Sequence, residues 1–451
     1  MSTPVFSLLK NFDRNRISFA MPGHKNGRGL EKSLIDCDVT ELPATLDLHD
    51  DGGVVGKACK LLAQLYGSER SFISTCGSTA CIQAMLAAVL KPGDTLLVSC
   101  DCHMSVINTC ALCGFNMRYI PKTVNSEFLI PDKNIGIEEL INKYEDIRAV
   151  MITSPTYYGI CADIAETARI CHKKNIPLLV DEAHGAHFAF SDRLPESAVR
   201  LGADAVCQSA HKTLNALTGA AFLHVSGNLI DSDRIKKTLF MFHTSSPSYV
   251  IAASADIALS ESDAAEKWDN VLTLCDKFKK QISENTKIKL PENDDLARLV
   301  LNFSAYDISG YEVEKQLSEK YGIDVEMSDM KNIVLIVSAY NTARDFNTLY
   351  DALCIITEQL PQGKPFCLIP PPVCETLINP GKAFYSECSQ TELENAAGKI
   401  SAAYVCAYPP GTPIISYGEK ITEKQTEYIK YIKKTGAKIK GLDGDTIKTV
   451  N

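Results

Sequence analysis

Gln208-Ser209-Ala210-His211-Lys212-Thr213 overlaps the end of an apolar run, and Leu178-Leu179-Val180-Asp181-Glu182-Ala183-His184 ends an earlier one. Leu178-Leu179-Val180 is apolar throughout, as a strand buried on both faces requires. Strand-like runs recur at Ser71–Thr75, Thr95–Ser99, Ala149–Thr153, Pro177–Val180, Ala205–Gln208 and Ala220–Val225, with helix-like stretches between them. Such alternation predicts an α/β unit on a mainly parallel sheet covered on both faces. A helix is predicted over Ser78–Leu90, stopped by Lys91-Pro92-Gly93-Asp94.

In open α/β sheets ligands sit at the carboxyl ends of the strands. Asp181 and Lys212 both stand there. Alone, each reads as a loop cap or a surface lysine, since strand ends commonly carry polar residues. Together they suit pyridoxal 5'-phosphate (PLP). A lysine amine condenses with its aldehyde, and a carboxylate holds its ring nitrogen protonated. Cys76-Gly77-Ser78-Thr79-Ala80, at a strand–helix join, offers backbone N–H groups and hydroxyls to a phosphate. Ser209 and His211 add donors beside the lysine. His103, in Asp101-Cys102-His103-Met104-Ser105, is placed to stack on a flat ring.

A long helix is predicted from Asp263 to Asn285, holding the only tryptophan, Trp268. Arg298–Ser304, a helix near Gly310–Tyr321, Ile333–Val337 and a helix from Ala343 read as a smaller α+β unit. Gln359–Pro372, with Pro361, Pro365 and Pro370-Pro371-Pro372, reads as an extended linker. The expected organisation is an arm over 1–45, a PLP-binding large domain over 46–285, a small α+β domain over 286–358, and a linker with a C-terminal domain over 359–451.

The 451 residues are 45% hydrophobic and 22% charged, an ordinary globular composition. Net charge is -9, with the basic residues spread along the chain, which argues against a nucleic-acid surface. No apolar run approaches the roughly 20 residues of a bilayer span. Seventeen cysteines without a secretion signal read as reduced thiols in a cytoplasm.

These motifs resemble the Orn/Lys/Arg decarboxylase family, PLP-dependent enzymes of fold type I (the aspartate aminotransferase-type architecture), in its shorter bacterial form. The matching segments are Met21-Pro22-Gly23-His24-Lys25-Asn26-Gly27, Asp38-Val39-Thr40-Glu41, Asp47-Leu48-His49, Gly77-Ser78-Thr79, His103-Met104-Ser105 and Ser154-Pro155-Thr156-Tyr157-Tyr158-Gly159. Val180 to His187, Ser209 to Leu214, Thr244-Ser245-Ser246-Pro247-Ser248-Tyr249 and Tyr408-Pro409-Pro410-Gly411-Thr412-Pro413 complete them.

The resemblance implies decarboxylation of arginine, lysine or ornithine to the corresponding polyamine-pathway amine. It implies Lys212 as the Schiff-base lysine, Asp181 as the partner of the ring nitrogen, His103 stacked on the ring and Ala183 against its other face. Gly77, Ser78, Thr79, Ser209 and His211 are implied at the phosphate. Thr244, Ser245 and Ser246 are implied to reach the phosphate of a neighbouring subunit, in a homodimer or larger assembly. Glu41, Asp50 and Asp51 are candidates for the substrate's distal cation by motif position.

This chain departs from the family pattern at Cys81-Ile82, Met104, Asp50-Asp51-Gly52-Gly53, Ala403 and Tyr417. Three other readings stand beside decarboxylation. Transamination shares the same cofactor chemistry. A regulatory homologue without activity is compatible with Met104 and Ala403. A zinc site could draw on Cys100, Cys102, His103, Cys110 and Cys113, although Cys110 and Cys113 fall in a predicted helix. No metal is expected.

Overall fold

The computed structural model describes residues 17–19, 25, 28, 30, 47–125, 127–128, 130–134, 136–260, 264–358, 360–361, 363, 372, 375–408 and 411–451. Most of the arm, Met21–Gly27 apart from Lys25, Asp38–Glu41, most of Gln359–Pro372, and Pro409-Pro410 lie outside them.

Seven strands form the central sheet: β1 (Arg70–Ser74), β2 (Thr95–Ser99), β3 (Asn116–Ile120), β4 (Ile147–Thr153), β5 (Leu178–Asp181), β6 (Ala205–Gln208) and β7 (Ala221–Val225). Their order is β1-β7-β6-β5-β4-β2-β3. Neighbours from β3 to β6 pair in parallel, and β7 runs antiparallel to both β6 and β1. A parallel return needs a crossover of a dozen or more residues, usually helical. Ser209–Ala220 holds only the single helical turn Ala210–Thr213 and no crossover helix, and β7 pairs antiparallel with β6.

Successive side chains of a strand point to opposite faces, and the core divides accordingly. Leu178 and Val180 join one apolar cluster while Leu179 joins another. Val206 lies in the first, and Ala205 and Cys207 in the second. The sheet is thus buried on both sides. The edge strand β3 was absent from the predicted runs because Asn116, Arg118 and Tyr119 are only partly buried and interrupt its apolar residues, Met117 and Ile120.

Helix α1 (Gly77–Val89) opens at Gly77 with φ +73, a backbone conformation glycine adopts without steric cost. Helix α2 (Met104–Cys113) is capped by the His103 ring, which accepts from Ser105 N. Cys110 and Cys113 lie on this helix, Cys110 fully buried. Helix α3 (Ala264–Asn285) carries Trp268, stacked on His187 with ring centroids 4.8 Å apart.

Beyond it, β8 (Arg298–Asn302), β9 (Met327–Ser328) and β10 (Asn332–Ile336) form an antiparallel sheet in the order β8-β10-β9. Helices over Gly310–Tyr321 and Ala343–Glu358 accompany it. Short antiparallel strands and the helix Glu423–Lys434, opened by a capping box at Thr422 and Gln425, make up the C-terminal part. Among the described residues no helix is long and apolar enough to cross a membrane.

Candidate active site

The carboxyl ends of β5 and β6 open onto one cavity. Its walls include Ser78, Asp101, His103, Asp181, His184 and Lys212, with Ala183, Tyr157 and Thr412 also lining it. Asp181 ends β5 and is 4% exposed. Its Oδ1 accepts from Ala183 N at 3.1 Å and from Cys207 Sγ at 3.6 Å, which fixes the carboxylate against the end of β6.

Lys212 sits in the single helical turn after β6, and its Nζ lies 3.1 Å from His184 Nε2. Burial lowers its pKa, with Asp181 and Glu326 acting in the opposite direction. His103 holds its ring by Nδ1, which accepts from Ser105 N at 3.2 Å. Burial lowers its pKa too, again opposed by Asp181. The positive end of α2 also disfavours an imidazolium at that cap.

At the mouth of α1, Ser209 Oγ donates to Ser78 Oγ at 2.8 Å. A Cβ built on Gly77 would meet nothing within 4 Å, so the space over this helix start is open. Thr79 is exposed on the same turn, and Ser209 is fully buried. His211 Nδ1 lies 2.9 Å from Ala220 O.

Lys212, Asp181, His103, Ala183 and Ser78 are therefore brought to one cavity, with Ser209 bonded to Ser78 behind them. Thr244, Ser245 and Ser246 do not line it; they are exposed in the turn between helices Ser232–Phe242 and Tyr249–Ser260. Asp50 and Asp51 do not line it either. Asp50 Oδ1 accepts from Gly52 N, and Asp51 pairs with Arg70 at 2.9 Å and Lys236 at 2.6 Å. Glu41 lies outside the described residues.

Sequence reasoning missed several groups around the cavity. His184 stands in the same run as Asp181, but its role became visible only through Lys212. Tyr157, inside the quoted Ser154–Gly159 motif, packs edge-on against His184 at 4.6 Å and donates its hydroxyl to Glu326. Arg298 opens an apolar strand and gave no signal. Its Nη2 lies 3.1 Å from His184 Nδ1. Lys25, fully buried, donates to Ile336 O at 3.0 Å, and burial draws its pKa down to about 7. Asp101 lines the cavity and pairs with Lys122 at 2.8 Å.

A doubly covered, mainly parallel sheet with a lysine and a buried carboxylate at adjacent strand ends defines the fold-type I class of PLP enzymes. The lysine decarboxylase LdcF of Francisella novicida superposes with a TM-score of 0.80 at 19% identity, over 99% of this chain and 80% of that one. The model of the Orn/Lys/Arg decarboxylase major domain matches residues 3–295, and that of the C-terminal domain residues 374–446. The chain belongs to the Orn/Lys/Arg decarboxylase family, whose members are PLP-dependent carboxy-lyases. It is 30% identical to an arginine decarboxylase of Bacillus anthracis, over 99% of this chain and 96% of that protein. An arginine decarboxylase of Bacillus subtilis is 29% identical over 99% of this chain and 97% of its own length.

Proposed function

We propose that this protein removes the α-carboxylate of a basic amino acid, arginine first, using PLP held by Lys212. The observation that carries the reading is the convergence of Lys212, Asp181 and His103 on one cavity in a chain of this family. Near full-length similarity to two arginine decarboxylases supports arginine ahead of lysine and ornithine.

The residues present fit the cofactor. A half-buried lysine just after one strand and a buried carboxylate at the end of its neighbour stand together, and the start of α1 is open beside two hydroxyls. When bound, PLP supplies an electron sink for the bond broken at Cα. Lys212 would hold the cofactor through its amine. Asp181, pinned by Ala183 N, would hold a proton on the ring nitrogen. His103 and Ala183 would flank the ring. Gly77, Ser78, Thr79, Ser209 and His211 hold the phosphate through the α1 N-terminus and their side chains.

In this reading Thr244, Ser245 and Ser246 complete the phosphate site of a second subunit, and the protein is a homodimer or larger. Cytoplasmic residence and supply of a polyamine precursor belong to the same proposal. So does the division into arm, large, small and C-terminal units, of which the separate span 374–446 supports the C-terminal one.

Purified protein with PLP, offered arginine, lysine and ornithine in turn, should release CO2 and the matching amine, fastest from arginine. Lys212→Ala should lose both turnover and the visible absorbance of lysine-attached cofactor. Absence of CO2 from all three amino acids would remove the reading.

A further inference from the structure

Arg298 opens β8 and is 1% exposed. Its Nη2 stands 3.1 Å from His184 Nδ1, and the other ring nitrogen, Nε2, stands 3.1 Å from Lys212 Nζ. A guanidinium only donates hydrogen bonds. His184 Nδ1 therefore accepts. A neutral imidazole that accepts at one nitrogen carries its proton on the other. Nε2–H then faces Lys212 Nζ. An ammonium has three donors and no acceptor, so this contact is a hydrogen bond only when Nζ is the neutral amine.

We propose that Arg298 is a positioning residue that fixes the His184 tautomer and, through it, holds Lys212 as the neutral amine able to attack an aldehyde. The proposal rests on the reading of Lys212 as the lysine that carries the cofactor.

The surroundings agree. His184 is faced by Lys212, Arg298, His103 and His187, and burial with these neighbours drives its pKa well down. A charged His184 would put a second cation against Arg298 in a buried site. Lys212 is faced by Asp181, Glu326, Arg298 and Cys207 as well as His184. Asp181 and Glu326 favour its ammonium form, while burial and Arg298 disfavour it. The His184 donor thus adds to the side that keeps Nζ neutral. Tyr157, edge-on to the His184 ring with its own hydroxyl on Glu326, holds the ring plane between the two partners.

The test uses the full-length protein freed of cofactor. Trace acetylation with acetic anhydride across pH, read by peptide mass spectrometry at Lys212, reports the fraction of neutral amine. Arg298→Met should raise the labelling midpoint, because it removes a cation and also releases the tautomer. His184→Gln keeps an amide donor near the Nε2 position whatever stands at 298. In that background Arg298→Met should act through charge alone. The shift in the otherwise wild-type protein should exceed the shift in the His184→Gln protein by about one pH unit, a tenfold effect. Equal shifts overturn the proposal.

Nitrogen-15 spectra of histidine-labelled, unmutated protein need no variant to fold. They should show His184 protonated at Nε2, and protonation at Nδ1 overturns the proposal equally. Borohydride reduction with PLP and peptide mapping separates the two levels. An adduct away from Lys212 removes the underlying reading, whereas an adduct at Lys212 with equal shifts removes only the role of Arg298.

Discussion

Ser209 Oγ donates to Ser78 Oγ at 2.8 Å, although 131 positions separate them in the chain. The bond joins the turn that carries Lys212 to the open start of α1. It sets the spacing between the group that would hold an aldehyde and the groups that would hold a phosphate. Replacing either serine by alanine should therefore weaken cofactor binding. A hydrogen bond to a charged group contributes ~1.5–3 kcal/mol, so a loss of tenfold or more in PLP affinity is expected. The double variant should lose less than the two single losses combined, because the hydroxyls already share one bond. Fluorescence titration of cofactor-free protein with PLP measures all three, and unchanged affinity in both single variants removes these serines from the phosphate site.

Asp181→Asn should still bind PLP, because the lysine and the phosphate groups are untouched. A neutral amide cannot hold the ring nitrogen protonated, so the barrier should rise by several kcal/mol, on the order of 10³-fold or more in rate. Steady-state CO2 release gives the value. Near-wild-type turnover would take Asp181 out of this role.

Glu182 follows Asp181 but faces away from the cavity, toward Ser197, Ala198 N and Gln208. Burial pushes its pKa up to about 7, against the pull of those hydrogen bonds. Between pH ~4.5 and ~7 the native state keeps a proton that the unfolded chain releases, so this group's contribution falls as pH rises through that window. The contribution is on the order of 3 kcal/mol. Denaturant unfolding at pH 5 and pH 7.5 should show a smaller pH-dependent loss in Glu182→Gln than in wild type. Identical slopes in the two proteins would contradict a raised Glu182.

Thr244, Ser245 and Ser246 are exposed in a turn closed by Ser246 N on Thr244 Oγ1 at 3.3 Å. If they complete a neighbour's phosphate site, cofactor affinity should rise with protein concentration, since assembly and binding are linked. Sedimentation with and without PLP, on wild type and on the Ser245→Ala and Ser246→Ala pair, tests this. A monomer fully active at nanomolar concentration would rule out the shared site.

The central sheet was legible because strands buried on both faces are mostly apolar, as Leu178-Leu179-Val180 is throughout and Thr95–Ser99 and Ala221–Val225 are in larger part. Helix bounds were legible where capping and breaking residues are local. The predicted helix near Gly310–Tyr321 was found over those residues, and the helix stopped by Lys91-Pro92-Gly93-Asp94 ends at Val89. β3 escaped because Asn116, Arg118 and Tyr119 break up its apolar residues, Met117 and Ile120. The correct candidates among many polar strand ends came from motif resemblance, since a lone Asp or Lys carries no such information.

By itself, then, the sequence determined the alternating α/β plan, both layers of its core, and the placement of Asp181 and Lys212 at strand ends. These follow from interactions within a few residues: periodicity, capping and chain breaks. Tertiary structure alone decided the antiparallel return of β7, the bond between Ser209 and Ser78, and the line from Arg298 through His184 to Lys212. Each joins residues far apart in the chain, through orientations that exist only once the sheet has twisted and the second sheet has packed against it. Arg298 lies 114 positions from His184, a separation no local pattern encodes.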